Sequence, residues 1–268
     1  MKARASQGAS VDETHSGWRL RIPGGDSRSY RVAQLDDYAQ LSRRKFPHHS
    51  LTLSLHARAS SDSIPGTWGF GLWNDPFGLS LGFGGNPFRL PALPNAVWFF
   101  HASPQNYLSF KSPSTETLGT SLSLDTDEKY TRPTRPAGTI ATNGFLAQTF
   151  RSPSFHPLLI PAGLALPFSR KLTRQMLGKV IEEDGIALSV DVAQWHGYSF
   201  EWSPKRTAFY VDNAQVFEAA VSPRPPLGVV IWIDNQYAAF RPDGKMEWGV
   251  LEGKEYWIDV EGIVCRNA

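Results

Sequence analysis

The sequence predicts an all-β fold in which two antiparallel sheets pack as a β-sandwich, with one amphipathic helix inserted. Short runs rich in aromatic and β-branched residues recur along the chain, as is typical of strands. The 23 Gly and 20 Pro residues supply turn signals between them. Hydrophobic residues make up 41% of the chain, enough for a core, which excludes intrinsic disorder for most of it.

Seven segments carry strand patterns. Leu51–Ala59 alternates apolar and polar residues with a period of two, which indicates one buried face. Thr67–Trp73 and Ala96–His101 are aromatic-rich, and Gly228–Ile233 is almost continuously apolar, as in a strand buried on both faces. The other predicted strands are Tyr198–Trp202 and Thr207–Asp212, joined by a tight turn at 203–206, and Tyr256–Val264.

One helix interrupts this pattern. Ser169 is its expected N-cap, and Gly185 is its expected stop. The apolar face comprises Leu172, Met176, Leu177, Val180 and Ile181, and the opposite face carries Lys171, Arg174, Lys179 and Glu182. We expect the helix to pack one stripe on the sandwich.

The domain organisation predicted from the sequence is a single jelly-roll domain over 1–268. The stretch 111–144 is rich in Ser, Thr and Pro and is expected to be a long surface loop. The stretch 157–184 combines an apolar loop with the helix and is a candidate lid. Its apolar part, Pro157–Phe168, is too short to span a bilayer and is interrupted by Pro161.

Composition also excludes several classes of function. A formal net charge of +2 gives no reason to expect nucleic acid or an anionic membrane as a partner. A single Cys excludes an intramolecular disulfide framework and a cysteine-built metal cluster, and no metal or cofactor is expected. The first residues lack the apolar stretch of an export signal, so the expected location is cytoplasmic. The oligomeric state stays open.

The stretch Val192–Asn213 reads VAQWHGYSFEWSPKRTAFYVDN. It resembles a late hairpin of the concanavalin A-like lectin/glucanase superfamily, and within it of the family 16 glycoside hydrolases. Leu55–Trp73 resembles the family's strand, loop and glycine-rich aromatic strand, and Tyr256–Val264 resembles its closing strand. The resemblance implies a jelly-roll sandwich with a concave binding face.

The chemistry of the resembled family depends on a strand carrying alternating acids, Glu-x-Asp-x-Glu. Such a pattern aims three carboxylates into one cleft, because every second side chain of a strand points to the same face. The equivalent stretch here is Asn95–Ser103 (NAVWFFHAS), which contains no acid. The family's retaining hydrolysis is therefore not expected from this strand, and whether the protein is an enzyme stays open.

The concave face should be lined by alternate residues of the strands and by the polar residues at their ends. The predicted ligand-binding residues are Trp73, Asn74, Asp75, Trp98, Phe100, His101, Trp232, Asp234, Asn235, Gln236 and Tyr237. Aromatic side chains with a few amides and acids are a typical pocket composition. Three of these residues are candidate acid–base groups. Asp75 and Asp234 would form an acid pair from different strands, and His101 would supply a proton near an apolar pocket.

Three functions follow from these patterns. The first is a jelly-roll protein that binds or modifies a carbohydrate through an aromatic cleft. The second is an intracellular enzyme, of cyclase or isomerase type, or a binder that takes an apolar small molecule in the same pocket. The third is a non-catalytic interaction module. An open groove with Trp on its floor would favour a glycan, and a closed cavity would favour an apolar ligand.

Overall fold

The computed structural model describes residues 1–76, 92–110, 142–154, 158 and 169–267. In the first half of the chain the strands are β1 (Lys2–Ala5), β2 (Ser10–Glu13), β3 (Gly17–Ile22), β4 (Val32–Asp36), β5 (Leu51–Ala59), β6 (Thr67–Trp73), β7 (Ala96–Ala102) and β8 (Gly144–Arg151). In the second half they are β9 (Glu182–Ala187), β10 (His196–Ser203), β11 (Arg206–Val211), β12 (Ala214–Ala219), β13 (Gly228–Asp234), β14 (Gln236–Phe240), β15 (Met246–Val250) and β16 (Tyr256–Arg266). Helix α1 covers Arg170–Val180, and a 3₁₀ turn covers Arg43–Lys45.

Most strands belong to two antiparallel sheets of seven strands each. Sheet A has the order β1-β4-β13-β6-β7-β8-β9, and sheet B has the order β12-β11-β10-β5-β16-β3-β2. The hairpin β14–β15 forms a separate two-stranded sheet. These sheets confirm the predicted jelly-roll sandwich, and all seven predicted strands are present at bounds that agree to within two residues.

The core lies between the two sheets and is filled by the side chains that point inward at every second position of their strands. On β5, Leu51, Leu53 and Leu55 point inward and are at most 3% exposed. Strand β13 is buried along its whole length, as its continuous apolar run predicts. One of its faces contributes Val229 to the core between the sheets. The opposite face belongs to a second apolar cluster outside sheet A, so this sheet is covered on both sides over part of its area.

The helix begins as predicted but ends earlier. Ser169 caps it by accepting a hydrogen bond from Leu172 N at 3.3 Å. The prediction that the helix runs to Gly185 is wrong, because 182–187 pairs with β8 as the edge strand β9. Gly185 lies opposite Gln148, and a Cβ on it would lie 2.9 Å from Ala147 O. The glycine thus serves close strand packing rather than a helix stop.

The predicted faces of this helix also need correction. Leu172, assigned to the packed face, is 42% exposed. Arg174, assigned to the polar face, is buried, and its guanidinium donates to Phe240 O at 2.8 Å and to Ser109 O at 2.9 Å. A buried guanidinium needs such acceptors because an unpaired charge is costly away from water. The helix is therefore held by polar anchoring as well as by apolar contact.

Two predicted features lie partly outside the described residues. The Ser/Thr/Pro-rich stretch 111–144 is described only from residue 142, and the candidate lid at 157–184 only at 158 and from 169 onward. Among the helices described, none has the length and apolar character needed to cross a membrane.

Candidate functional site

The candidate site is a cleft on the outer face of sheet A, which we call the aromatic cleft. Its floor is set by the register of three neighbouring strands. Trp232 on β13 lies opposite Gly69 on β6, which in turn lies opposite Phe100 on β7. Two residues further along β6, Gly71 lies opposite Trp98 on β7. Large aromatic side chains on the outer strands thus flank glycines on the strand between them.

The two glycines give the indoles room to lie close to the sheet. A Cβ on Gly69 would lie 2.4 Å from Phe99 O and 3.0 Å from Cη2 of Trp232. A Cβ on Gly71 would lie 2.6 Å from Cβ of Trp98. Real Cβ atoms do not approach other atoms this closely, so any larger residue would have to displace the aromatic layer or the adjacent backbone.

Three indoles meet on this floor. The ring centroids of Trp98 and Trp232 are 5.6 Å apart, and Trp73 lies 6.1 Å from each of them. The planes of Trp73 and Trp232 are nearly parallel, at 5°. Trp98 and Trp232 are only 5% and 7% exposed, whereas Trp73 is half-buried. Trp73 therefore offers the most accessible indole surface of the three.

The structure brings eight of the eleven predicted ligand-binding residues to this cleft. They are Trp73, Asp75, Trp98, Phe100, Trp232, Asp234, Gln236 and Tyr237. The sequence reasoning missed another eight lining residues, which are Arg4, Tyr30, Val32, Gln34, Thr67, Asn106, Leu108 and Ala238. Strand parity already contained a signal for Thr67, which shares a face with Trp73 on β6. Tyr30, Asn106 and Leu108 lie outside the strands, where no periodic pattern marks them.

Asp234 lies at the end of β13 and is 7% exposed. Its Oδ1 accepts hydrogen bonds from Thr67 Oγ1 at 2.8 Å, Thr67 N at 3.2 Å and Gln236 N at 3.2 Å. Its Oδ2 accepts one from Tyr30 Oη at 3.2 Å. Burial outweighs these donors and raises the pKa of Asp234 to about 6. Thr67 Oγ1 also accepts from Trp232 Nε1 at 2.9 Å, which couples this carboxyl to the floor.

Asp75 follows β6 and lies at the opposite end of the cleft. It adopts a positive φ of 49° and is 4% exposed. The guanidinium of Arg43 holds this turn in place by donating to Asn74 O at 2.8 Å and to Asp75 O at 2.5 Å. Burial, followed by the nearby carboxyls of Asp75 and Asp36, raises the pKa of Tyr38 well above its ordinary value. Asp75, after the end of β6, and Asp234, at the end of β13, line the same cleft at opposite ends.

A polar chain runs along one side of the cleft. Trp73 Nε1 donates to Tyr38 Oη, which also accepts a hydrogen bond from Gln34 Nε2 at 3.3 Å. Gln34 Nε2 donates in addition to Asp36 Oδ2 at 2.8 Å, and Arg4 forms an ion pair with the same carboxylate at 3.2 Å. This chain fixes the orientation of the accessible indole.

Three predicted site residues lie elsewhere. His101 is on the inner face of β7, where it stacks on Trp68 at 5.7 Å, and burial lowers its pKa to about 4. Asn235 joins three loop segments by accepting from Arg31 N and donating to the carbonyl oxygens of Ser29 and Leu251. Asn74 donates to Leu93 O at 2.8 Å and lines a different cavity. Strand alternation separates His101 from Phe100, and the two asparagines satisfy loop backbone.

Two polar groups beside the floor have no partner among the described residues. These are Trp98 Nε1 and Gln148 Oε1, both buried. The two residues are register neighbours on β7 and β8. A buried donor or acceptor without a partner costs about 1–3 kcal/mol, so such groups in a folded protein call for an explanation.

Comparisons with known proteins give only distant likenesses. No protein-family model matches the chain, and no curated protein matches it in sequence. A family 16 endo-glucanase from Bacteroides ovatus superposes with a TM-score of 0.43 and 9% identity, covering 98% of this chain and 94% of that one. A legume lectin-like domain from Entamoeba histolytica gives a TM-score of 0.44 and 8% identity, covering 99% and 90%.

A third match is a chain described as a sialidase, with a TM-score of 0.42 and 6% identity. The present chain is covered over 99% of its length but spans only 17% of that protein. The solved structures that resemble the chain thus include glycoside hydrolases of family 16 and a lectin-like domain. At these scores the likenesses carry no information about function.

Proposed function

We propose that the protein binds a carbohydrate in the aromatic cleft. The observation that carries the proposal is the juxtaposition, in one cleft, of indole rings with hydrogen-bonding side chains. Trp73 presents an accessible flat surface, while Asp234 and Gln236 lie on the same lining. A sugar ring has a flat apolar C–H face and a rim of hydroxyls, so it matches both components at once.

Accessible polar side chains on the lining favour a hydroxylated ligand over an apolar one. Gln236 and Tyr237 line the cleft and are half-buried, and an amide and a phenol can each donate and accept hydrogen bonds. A hydroxyl group also does both, whereas a hydrocarbon does neither. The alternative occupant, an apolar small molecule, is supported by the outer face of β7, where Ala96, Trp98 and Phe100 replace the acids of the resembled family.

The proposal is tested by calorimetric titration with neutral β-glucan and galactan oligosaccharides, beside a panel of polycyclic and isoprenoid compounds. Trp73→Ala should weaken oligosaccharide binding about tenfold, because it removes the stacking surface. Trp98→Ala is a less suitable probe because that indole supports the floor. The matched control is Trp195→Ala, since Trp195 is 40% exposed and precedes β10 of sheet B.

The outcomes separate the functions. Oligosaccharide binding that W73A weakens and W195A leaves unchanged supports the proposal. Binding of apolar compounds alone, with the same dependence on Trp73, would replace it with a small-molecule site. If neither panel binds, the cleft has no ligand of these classes, and the interaction module is the remaining function.

A further inference from the structure

A second cavity lies beside the aromatic cleft, on the other side of the turn that follows β6. Trp73 and Asp75 face the aromatic cleft, whereas Asn74 between them faces this cavity. Its volume is about 810 Å³, a size typical of sites for small ligands. We call it the arginine cavity because three arginines, Arg43, Arg44 and Arg224, line it.

The described lining of this cavity carries basic side chains and no Asp or Glu. Arg44 and Arg224 are exposed, and neither forms an ion pair within the described part of the chain. Arg43 also lines the cavity, but its guanidinium is engaged in donating to Asn74 O and Asp75 O. Like charges gathered in one cavity repel one another unless an anion lies among them.

Hydrogen bonds fix several segments of the cavity wall relative to one another. Asn95 Nδ2 donates to Ser152 O at 2.9 Å, and its Oδ1 accepts from Ser152 N at 3.2 Å and Arg224 N at 3.1 Å. Asn74 Oδ1 accepts from Asn95 N at 3.0 Å. One buried asparagine therefore joins three separate segments of the wall, so the backbone that carries Arg224 is positioned before any ligand binds.

We propose that the arginine cavity binds an oxyanion. Guanidinium groups match the paired oxygens of carboxylate, sulfate and phosphate through charge-assisted hydrogen bonds. The anion has two conceivable sources, a free inorganic ion or the acidic substituent of a saccharide that reaches across from the aromatic cleft. The second source rests on the proposed function, and the first does not.

The experiment is calorimetric titration of the whole chain with inorganic sulfate and with inorganic phosphate, at an ionic strength held constant with chloride. Arg44→Gln and Arg224→Gln should each weaken binding about tenfold, because each removes charge-assisted hydrogen bonds. Lys254→Gln is the matched control. It removes one exposed charge near Gly25, at the opposite end of sheet A, and should leave binding unchanged. Equal Tm values for the variants establish that the fold is kept.

The source of the anion is resolved by a second titration with one oligosaccharide in sulfated and desulfated forms. If the acidic saccharide is the ligand, R44Q and R224Q weaken the sulfated form alone, while W73A weakens both. If the free ion is the ligand, sulfate or phosphate binds and the two oligosaccharides do not differ. The inference is overturned if neither the inorganic anions nor the sulfated oligosaccharide show binding that R44Q and R224Q weaken. If neutral sugars fail to bind, the carbohydrate proposal for the aromatic cleft is refuted, but the oxyanion proposal for the arginine cavity is not.

Discussion

The carboxyl of Asp234 makes a quantitative prediction about stability. Its pKa is about 6 in the folded protein against an ordinary value of 3.8. Between these values the folded protein binds more protons at this site than the unfolded chain, so this contribution to stability is complete below about pH 4 and is lost as the pH rises through about 6. A pKa difference of about two corresponds to about 3 kcal/mol.

Asp234→Asn removes the titration while keeping the local hydrogen bonds. Oδ1 of the asparagine can accept from Thr67 and Gln236 N as the carboxylate does, and its amide can donate to Tyr30 Oη. Every other titrating group is common to the two proteins and cancels in the comparison. The free energy of unfolding of D234N should therefore gain about 3 kcal/mol on that of the wild type between pH 4 and pH 8.

The assay is urea unfolding of both proteins across this pH range, with the unfolding slope checked for constancy at each pH. The difference between the two stabilities should rise with a midpoint between pH 4 and pH 6. A difference that stays flat across the range would show that burial of Asp234 does not oppose its ionisation. A difference that declines with pH would show that its hydrogen bonds dominate instead.

Further substitutions test other parts of the molecule. His101→Phe keeps a ring stacked on Trp68 but cannot be protonated. Burial lowers the pKa of His101 from 6.5 to about 4, so the unfolded wild type binds more protons than the folded protein in this interval. Acid unfolding curves should therefore show the free energy of unfolding of the wild type falling by about 3 kcal/mol relative to that of H101F as the pH decreases through the interval. Gly71→Ala places a Cβ 2.2 Å from Val97 O and should cost about 1–3 kcal/mol in urea unfolding, whereas Gly197→Ala, whose nearest neighbour is at 3.4 Å, should cost less than 1 kcal/mol. Asn95→Ala removes the hydrogen bonds to Ser152 and Arg224 and should cost about 2–3 kcal/mol by thermal unfolding; a loss below 0.5 kcal/mol would mean that the wall of the arginine cavity does not depend on it.

The strands of the sandwich could be predicted where their local pattern is strong. Thr67–Trp73 and Leu51–Ala59 have the bounds that their alternation indicates. Strands β1 and β2 have only four residues each, too few for a period to be recognised. The end of α1 was missed for another reason. The segment 182–187 has no run of β-branched or aromatic residues that would mark a strand, and only its pairing with β8 makes it one.

The alternation of side chains along the strands predicts part of the candidate site. Alternation correctly groups Trp73 with Asp75 and Trp98 with Phe100, because it fixes which side chains share a face. It does not say which face becomes the core. His101 is a candidate because its pKa is readily tuned and it lies on the aromatic strand, yet its parity is opposite to that of Trp98 and it points between the sheets. Tyr30 approaches the cleft from a loop, and no local pattern encodes that approach.

The ionisation of Asp234 also provides a test that separates the two ligand classes. Above about pH 6 the carboxyl is charged, and a carboxylate accepts stronger hydrogen bonds from hydroxyls than a neutral acid does. Carbohydrate affinity should therefore rise about tenfold from pH 5 to pH 7 in the wild type. In D234N it should stay constant. An apolar ligand should show the opposite trend, because ionising a carboxyl beside it adds a desolvation cost.

These opposite slopes make the pH dependence more decisive than affinity at a single pH. If the protein bound both ligand classes weakly, the sign of the change in affinity with pH would still show which class the cleft binds. If oligosaccharide affinity proved independent of pH in the wild type while W73A still reduced it, the sugar would contact the indole but not the carboxyl. The hydrogen bonds of Asp234 to Thr67 and Tyr30 would then serve to close the end of β13 rather than to hold a ligand.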